Sequence, residues 1–475
     1  MNDKYRWDTL KHGAPDWFRD LKFGMFFHWS GYSVAGYANE IYPYHMYDPN
    51  TLQYYYHRKK FGTQDQFGYK ELIKAFHAEN FNADQWAEML KRSGVKYAGI
   101  VTEHCDNFSL WDSAVNPNCA SKVGPHRDII GESFEAFRRC GIKCLATFHG
   151  MGSPGRVSTP LDKGTDREDP ANDMYYGKLI NMEDPESVDA GYQTKRDKIL
   201  EVIEKYHPDI VYFDSGTCHM PEQYRLQIVD ALYNHSHNSS TVITYKGLYE
   251  EQDFPTGTGI FDLECTRFEE MGPCVWQNDD RLEDNITWCI VENPKYKPAI
   301  RIIQQLCDVV SKNGSLLLNL GPNADGTWPE EARKILYEVG DWLQINGEAI
   351  YGTRPFVVYG EGPGKHVYSL YGAIKMQGLL NKGLVHDSTI GILGEKDIRF
   401  TKGKDNSIYA ILQGWPEKGE TFIRTMKLGG AAGKVQSVRM LGYAGELLFS
   451  QNEDGLWVKL PAQRPCEYCF SLKIN

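Results

Sequence analysis

Six apolar, strand-like segments of the sequence each end in an ionisable side chain. The residues at these ends are His28, His104 (followed by Asp106), His149, Asp214, Lys246 and Glu264. A single polar residue at a strand end usually caps a helix or bonds a loop, but six in series exceed what that role explains. If the strands are parallel neighbours, their C-terminal ends converge on one face, and we expect an active site there.

Asp214 and Glu264 are the carboxylates among the six strand-end residues, and they indicate the chemistry. Asp214 ends the buried-type segment DIVYFDSG, and Glu264 ends GIFDLE in the same manner. Glycoside hydrolysis uses such a pair: one carboxylate attacks the sugar, and the other carries a proton to and from the leaving oxygen. The alternative role for Asp214 is to cap the next helix, which Ser215 can fill equally well.

A metal site and a serine nucleophile are competing interpretations. His28, His104, His149 and Asp214 offer the donors of a three-histidine and carboxylate site. No spacing motif such as HExxH singles them out, so we expect neither a metal nor another cofactor. No GxSxG motif is present, which disfavours a nucleophilic serine.

Amphipathic segments alternate with the strand-like ones, which predicts parallel β–α–β units. We expect helices at 83–92, 128–139, 193–206, 298–311 and 329–345. We expect strands at 23–29, 97–104, 143–149, 209–215, 241–246, 259–264 and 315–320, with an eighth at 274–277. Eight such units predict a (β/α)8-like barrel. A doubly wound open sheet is the alternative, but the GxGxxG match at 150–155 follows a later strand and leads to Pro160 rather than a helix.

The pattern changes after residue 354. From there on, short alternating runs separated by turns replace the long helical periods, at 397–401, 408–413, 421–425, 435–440, 456–459 and 467–472. These runs are typical of an antiparallel β-sandwich. We therefore predict a catalytic barrel at 1–354 and a C-terminal sandwich at 355–475.

Composition narrows the classes of partner. The chain has 475 residues and a net charge of −11, which argues against a nucleic-acid or anionic-membrane binder. No apolar run approaches the roughly 18 residues of a membrane span. The polar segment 1–13 is not a signal peptide, so we expect a cytoplasmic protein, or a secreted or periplasmic one if a leader was removed.

Four sequence blocks resemble the α-L-fucosidase family, glycoside hydrolase family 29. They are FGMFFHWSGYSV (23–34) with NEIY (39–42), HCDNFSLWDS (104–113), YHPDIVYFDSG (206–216) and the long block VVSKNGSLLLNLGPNADGTWPEEARKILYEVGDWLQINGEAIYGTRP (309–355). The runs DIRFT and IYAILQGWPEKG match the family's C-terminal sandwich. The resemblance implies a barrel with a sandwich, retaining hydrolysis and no metal.

The resemblance also implies roles for individual residues. Asp214 corresponds to the nucleophile and Glu264 to the acid/base, with Glu40, Glu269, Glu270 and Glu283 as rival acids. The implied substrate-binding residues are His28, Glu40, His104, Cys105, Trp111, His149, Tyr212, Lys246 and Trp276.

Several positions depart from the family pattern. Cys105 and Asn107 replace a histidine and a glycine of the family motif, Ile41 replaces a tryptophan, and Lys246 stands where many members have arginine.

From the strand-end carboxylates and the family resemblance we predict an exo-acting retaining α-L-fucosidase-like hydrolase that acts on a fucosylated glycan. The alternatives are an α-L-galactosidase, or another member of altered specificity, and a catalytically silent sugar-binding homologue.

Overall fold

A closed barrel forms the larger part of the molecule. The computed structural model describes residues 6–235, 240–246, 253–285, 287–364, 384–386 and 393–475. Within them, eight parallel strands pair in chain order, and the last strand closes onto the first. The barrel strands are β1 (Phe23–Phe27), β2 (Tyr97–Glu103), β3 (Lys143–Phe148), β4 (Ile210–Phe213), β5 (Val242–Lys246), β6 (Ile260–Glu264), β7 (Trp276–Arg281) and β8 (Gly314–Leu320). The predicted barrel is confirmed.

The N-terminal end of the barrel is filled by side chains. The buried Tyr97 ring crosses the interior, and its hydroxyl donates to Oε1 of Gln277 at 3.0 Å. A Cβ atom at Gly24 would lie 2.3 Å from this ring, so β1 needs a glycine where the ring passes. Because this end is packed, open space is left for a ligand at the opposite, C-terminal end.

The seventh strand differs from its prediction. It was expected at 274–277, but it runs over Trp276–Arg281. Its residues Gln277, Asn278, Asp279 and Asp280 are all buried. The polar sequence is typical of a loop, and it becomes a strand because neighbouring polar groups satisfy these side chains, among them Lys246 for Asp279 and Lys297 for Asp280.

The predicted helices surround the barrel. The helix expected from residue 193 begins earlier, at Pro185. Its first two turns were not predicted because they are polar and lack an apolar period. The helices are Asp16–Leu21, Tyr32–Ala35, Tyr42–His45, Leu52–Lys60, Tyr69–Ala75, Ala83–Arg92, Ile129–Arg139, Asp173–Tyr176, Pro185–Tyr206, Glu222–Asp230, Ala299–Ser311 and Glu330–Asn346. None of those in the described ranges has the length and apolar character that a membrane-spanning helix requires.

The C-terminal part is antiparallel, as predicted. A five-stranded sheet and a three-stranded sheet enclose an apolar core that includes Phe400, Leu412, Ile423 and Val458. The strands Arg354–Glu361 and Phe449–Gln451 were not predicted, because their exposed positions break the expected alternation. The strands are β9 (Arg354–Glu361), β10 (Ile398–Lys402), β11 (Ile408–Leu412), β12 (Glu420–Ile423), β13 (Val438–Met440), β14 (Phe449–Gln451), β15 (Leu456–Lys459) and β16 (Phe470–Ile474). Two further strand pairs lie in loops, Arg156–Val157 with Leu179–Ile180 and Thr266–Phe268 with Leu384–His386.

Candidate active site

A cavity of about 280 Å³ lies at the C-terminal ends of the barrel strands. Apart from Trp111 and Trp276, every residue that the sequence analysis assigned to the site lines it. The lining residues are Phe26, His28, Glu40, Ile41, His104, Cys105, His149, Gly150, Tyr212, Asp214, Ser215, Lys246, Glu264, Asp279 and Trp288. The volume suits a ligand of about the size of one sugar ring, since sites for drug-sized molecules begin at about 300 Å³.

Asp214 follows β4 directly, and its carboxylate faces the cavity. Its Oδ2 lies 3.6 Å from Nδ1 of His149. Burial on its own would raise the pKa of Asp214, but the contact with His149, the charge of Lys246 and the backbone N–H of Ser215 outweigh it and hold the pKa below its usual range. Asp214 is therefore ionised at neutral pH, as a nucleophile must be.

Three imidazoles converge beside Asp214. The ring centroids of His104 and His149 are 4.8 Å apart, and that of His28 lies 5.4 Å and 5.0 Å from them. Burial lowers the pKa of His28 well below its usual value and that of His104 to about 3, and the neighbouring His149 adds to both effects. His28 and His104 are therefore neutral at pH 7, so each can both donate and accept a hydrogen bond.

Lys246 ends β5 inside a cluster of carboxylates. Its Nζ lies 2.8 Å from Asp262, 2.7 Å from Asp279 and 3.7 Å from Glu264. Burial would lower the pKa of Lys246, but these carboxylates raise it well above its usual value. Burial and the neighbouring Asp262 raise the pKa of Asp279 in turn. Lys246 therefore stays charged under the cavity.

Two further carboxyl groups face the cavity from different elements. Glu264 ends β6, and its side chain is 46% exposed. Glu40 lies in the loop after β1, and its Oε2 accepts a hydrogen bond of 3.0 Å from the backbone N–H of Trp288. Burial raises the pKa of Glu40, and the nearby Glu264 adds to the rise. Both groups are placed to exchange protons with a ligand in the cavity.

Two predicted lining residues lie elsewhere. Trp111 is fully buried in the loop after β2, where its Nε1 donates to Glu201 at 2.8 Å. Trp276 is the first residue of β7, at the opposite end of the barrel, and its Nε1 donates to the carbonyl of Lys312 at 2.9 Å. Neither indole therefore lines this cavity: both assignments rest on residue type, and the first position of β7 places Trp276 at the other end of the barrel.

Three of the rival acids also lie outside the cavity lining. Glu283 is buried, and its Oε1 accepts a 2.8 Å hydrogen bond from the backbone N–H of Gly321. Burial raises the pKa of Glu283 to about 7. Glu269 and Glu270 follow the short strand Thr266–Phe268 and are not among the lining residues. Of the rivals to Glu264, only Glu40 faces the cavity.

Trp288 and Asp279 are lining residues that the sequence analysis missed. The Trp288 indole stands 5.4 Å from the His28 ring, between centroids, and 5.8 Å from that of Phe26. Trp288 belongs to the irregular segment after β7, and no local pattern points to it. Asp279 could have been found had the polar stretch QNDD been recognised as a strand.

The fold and the site together indicate the class of enzyme. A parallel barrel whose strand ends bring an ionised aspartate, further carboxyl groups and neutral imidazoles around a sugar-sized cavity is typical of a glycoside hydrolase.

Comparison with known proteins identifies the family. Residues 2–348 match the model of the alpha-L-fucosidase family, and residues 394–475 match that of the alpha-L-fucosidase C-terminal domain. The tissue alpha-L-fucosidase of Mus musculus is 28% identical over 492 residues, which cover 99% of this chain and 94% of that protein. That of Homo sapiens is 27% identical over 499 residues, covering 99% and 91%.

Solved structures share the fold. The alpha-fucosidase of Thermotoga maritima, solved in complex with fucose, matches with a TM-score of 0.73 and 24% identity over 99% of this chain and 100% of that one. An alpha-L-fucosidase of Bacteroides thetaiotaomicron matches with a TM-score of 0.68 and 18% identity over 99% of this chain and 98% of that one. The chain belongs to the alpha-L-fucosidase family and is a glycoside hydrolase.

Proposed function

We propose that the protein is an exo-acting, retaining α-L-fucosidase that releases terminal L-fucose from a fucosylated glycan. The observation that carries the proposal is the ionised carboxylate of Asp214 at the end of β4, facing a cavity sized for one sugar ring. Membership in the family and a relative solved in complex with fucose support the choice of sugar.

In the first step, Asp214 attacks the anomeric carbon of the sugar. Its low pKa means that no proton has to leave before the attack. The covalent intermediate divides one difficult displacement into two easier ones and returns the sugar with its original configuration. The positive charge of Lys246 supports the ionised state of the nucleophile.

The neutral imidazoles of His28 and His104 hold the ring hydroxyls. A neutral imidazole accepts a hydrogen bond at the nitrogen that carries no proton, so each ring can accept one from a sugar hydroxyl. Nδ1 of His28 donates to Oδ1 of Asn319 at 2.7 Å, which fixes the ring. The rings of Trp288 and Phe26 offer apolar faces to the C–H side of the sugar.

Glu264 serves as the acid/base, and Glu40 is its rival. The position of Glu264 at a strand end, lining the cavity and open to solvent, suits a group that protonates a leaving oxygen and then activates water. The raised pKa of the more deeply buried Glu40 suits a general acid.

A second candidate substrate is an α-L-galactoside, which differs from a fucoside by one hydroxyl at C6. Cys105 supports it, because its Sγ lies 3.0 Å from Nδ1 of His104 and offers a weak donor where the family motif has a second histidine. A site shaped for a methyl group rejects an added hydroxyl by only about 100-fold.

The test is hydrolysis of aryl α-L-fucoside, α-L-galactoside and β-D-galactoside by the full chain, with proton NMR of the first product anomer. We expect turnover of the α-L-fucoside or the α-L-galactoside, the α anomer first, and none of the β-D-galactoside. A β anomer as first product would contradict retention. Binding of the sugars without turnover would instead favour the silent homologue.

A further inference from the structure

The cluster of His28, His104 and His149 has the donor set of a metal site. One ring nitrogen of each residue lies within 4.8 Å of those of the other two, and all three side chains are buried. In a tetrahedral zinc site, ligand nitrogens about 2.0–2.1 Å from the ion are roughly 3.4 Å apart. To bind one ion, nitrogens that lie up to 4.8 Å apart have to approach by up to about 1.4 Å, and the stacked rings of His104 and His149, whose planes are 25° apart, have to turn.

The groups around His28 prepare its ring to bind a cation. Oδ1 of Asn319 accepts from both Nδ1 and the backbone N–H of His28, at 2.7 and 3.3 Å. The amide Nδ2 of Asn319 donates to the carbonyl of Trp288 at 2.6 Å, which fixes the orientation of the amide. The proton of His28 is thus held on Nδ1, and the lone pair of Nε2 is left for another partner. Metal-binding histidines are held by this kind of outer hydrogen bond.

His149 supplies an independent observation. Its side chain is 7% exposed, and its Nε2 is buried without a hydrogen-bond partner among the described residues. A buried polar atom without a partner is costly and calls for an explanation, and a bound ligand is one. His149 is also the cluster member nearest to the carboxylate of Asp214, at 3.6 Å.

The charges around the cluster favour a cation. Asp214, Glu40 and Glu264 line the same cavity. Among the described lining residues the one lysine is Lys246, and it is paired with Asp262 and Asp279. Imidazole suits zinc, copper and nickel, whereas magnesium and calcium prefer oxygen donors.

We propose that His28, His104 and His149 bind one divalent cation of the zinc type, and that this ion occupies the space of the sugar and thereby inhibits hydrolysis competitively. The inhibition rests on the proposed function, because the same imidazoles hold the sugar hydroxyls there. The binding of the ion does not rest on it.

The test uses the full chain, stripped with EDTA and desalted. Co²⁺ is titrated in and followed by its visible absorption, which is stronger for four-coordinate than for six-coordinate cobalt, and Zn²⁺ is then used to displace it. We expect one equivalent of four-coordinate Co²⁺ per chain. The variants His149→Gln and His104→Gln should each raise the dissociation constant at least about tenfold. Two variants are used so that a folding defect in one, seen as a lowered thermal midpoint, leaves the other to decide.

His77→Gln is the matched control, because His77 is exposed and outside the cluster. It should bind Co²⁺ as the parent does. Absence of a one-equivalent four-coordinate site in the parent, or unchanged affinity in a folded cluster variant, would overturn the proposal. Sites made of cysteines would survive both cluster substitutions and are thereby recognised as a different site.

Kinetics separate this proposal from the proposed function. If the stripped protein hydrolyses an aryl α-L-fucoside, Zn²⁺ should raise KM and leave kcat unchanged. Hydrolysis without any zinc effect would contradict the inhibition and leave the proposed function standing. Zinc binding through the histidines in a protein that hydrolyses no glycoside would uphold the site and refute the function.

Discussion

Nδ1 of His149 lies 3.6 Å from Oδ2 of Asp214, and both side chains line the same cavity. This contact links a histidine after β3 to the proposed nucleophile after β4. It is one of the main causes of the lowered pKa of Asp214 and so of its ionised state. The pH dependence of the enzyme should therefore report on it.

His149→Gln should move the acid side of the pH profile of kcat/KM to higher pH. The folded-state pKa of Asp214 is below its unfolded value, so the ionised form persists as the pH falls and is lost only on passing the folded pKa. Removing the imidazole raises that pKa, and protonation of the nucleophile then begins at a higher pH. The profile is measured from about pH 3 to 6 with His77→Gln as the control.

The lowered pKa of Asp214 also makes the stability of the fold depend on pH. Asp214 contributes stability above its unfolded pKa, and this contribution disappears as the pH falls through the lower folded value. His149→Gln should reduce this contribution to stability.

An acid limb of the kcat/KM profile that stays in place in the folded His149→Gln variant would mean that His149 does not act on Asp214.

Lys246→Met should destabilise the fold by about 3–5 kcal/mol and lower activity. It leaves Asp262 and Asp279 buried without the cation that now lies 2.8 and 2.7 Å from them. Lys246→Arg keeps the charge and is the matched control, with a smaller loss expected. Urea unfolding at neutral pH measures the difference, and equal stability of the Met variant and the parent would contradict the assigned role of the ion pairs.

Glu264→Ala and Glu40→Ala should separate the acid/base from its rival. Loss of the acid/base slows substrates with poor leaving groups far more than aryl fucosides whose leaving group needs no proton. We expect this pattern for Glu264→Ala, with a penalty on the order of 10²–10⁴-fold on the natural linkage. Glu40→Ala should slow both substrate types alike, because Glu40 holds the sugar. The reverse pattern would assign the acid/base to Glu40.

Much of the fold followed from the sequence because its signals are local. Buried apolar runs such as DIVYFDSG predicted most strands within about two residues. Proline near the start and glycine after the end marked most of the helices. Parallel strands then place His28, His104, His149, Asp214, Lys246 and Glu264 at one end of the barrel without further information.

What could not be predicted depends on tertiary contacts. The polar strand β7 forms because Gln277 accepts a hydrogen bond from Tyr97 across the barrel and Asn278 donates one to the carbonyl of Thr266, just after β6, which no local pattern reveals. Trp276 was misassigned for the same reason, since the start of its strand was not known. Glu40 and Trp288 meet through a hydrogen bond between residues 248 positions apart. The boundary between the domains at 354 and 355 stays a prediction.

Asp214 is the proposed covalent nucleophile. No other lining carboxyl group lies at the end of β4, so none can replace it without moving the backbone. Asp214→Gly should therefore lose nearly all turnover, by about 10⁴-fold or more, while keeping the parent's thermal midpoint.

The most direct measurement is hydrolysis of an aryl α-L-fucoside by Asp214→Gly with and without sodium azide, with proton NMR of the product. Azide can enter the space of the missing carboxylate and attack the anomeric carbon itself. We expect almost no turnover without azide, and with azide a β-fucosyl azide, inverted relative to the substrate. Substantial turnover of the folded variant without azide, with the α sugar as product, would contradict it.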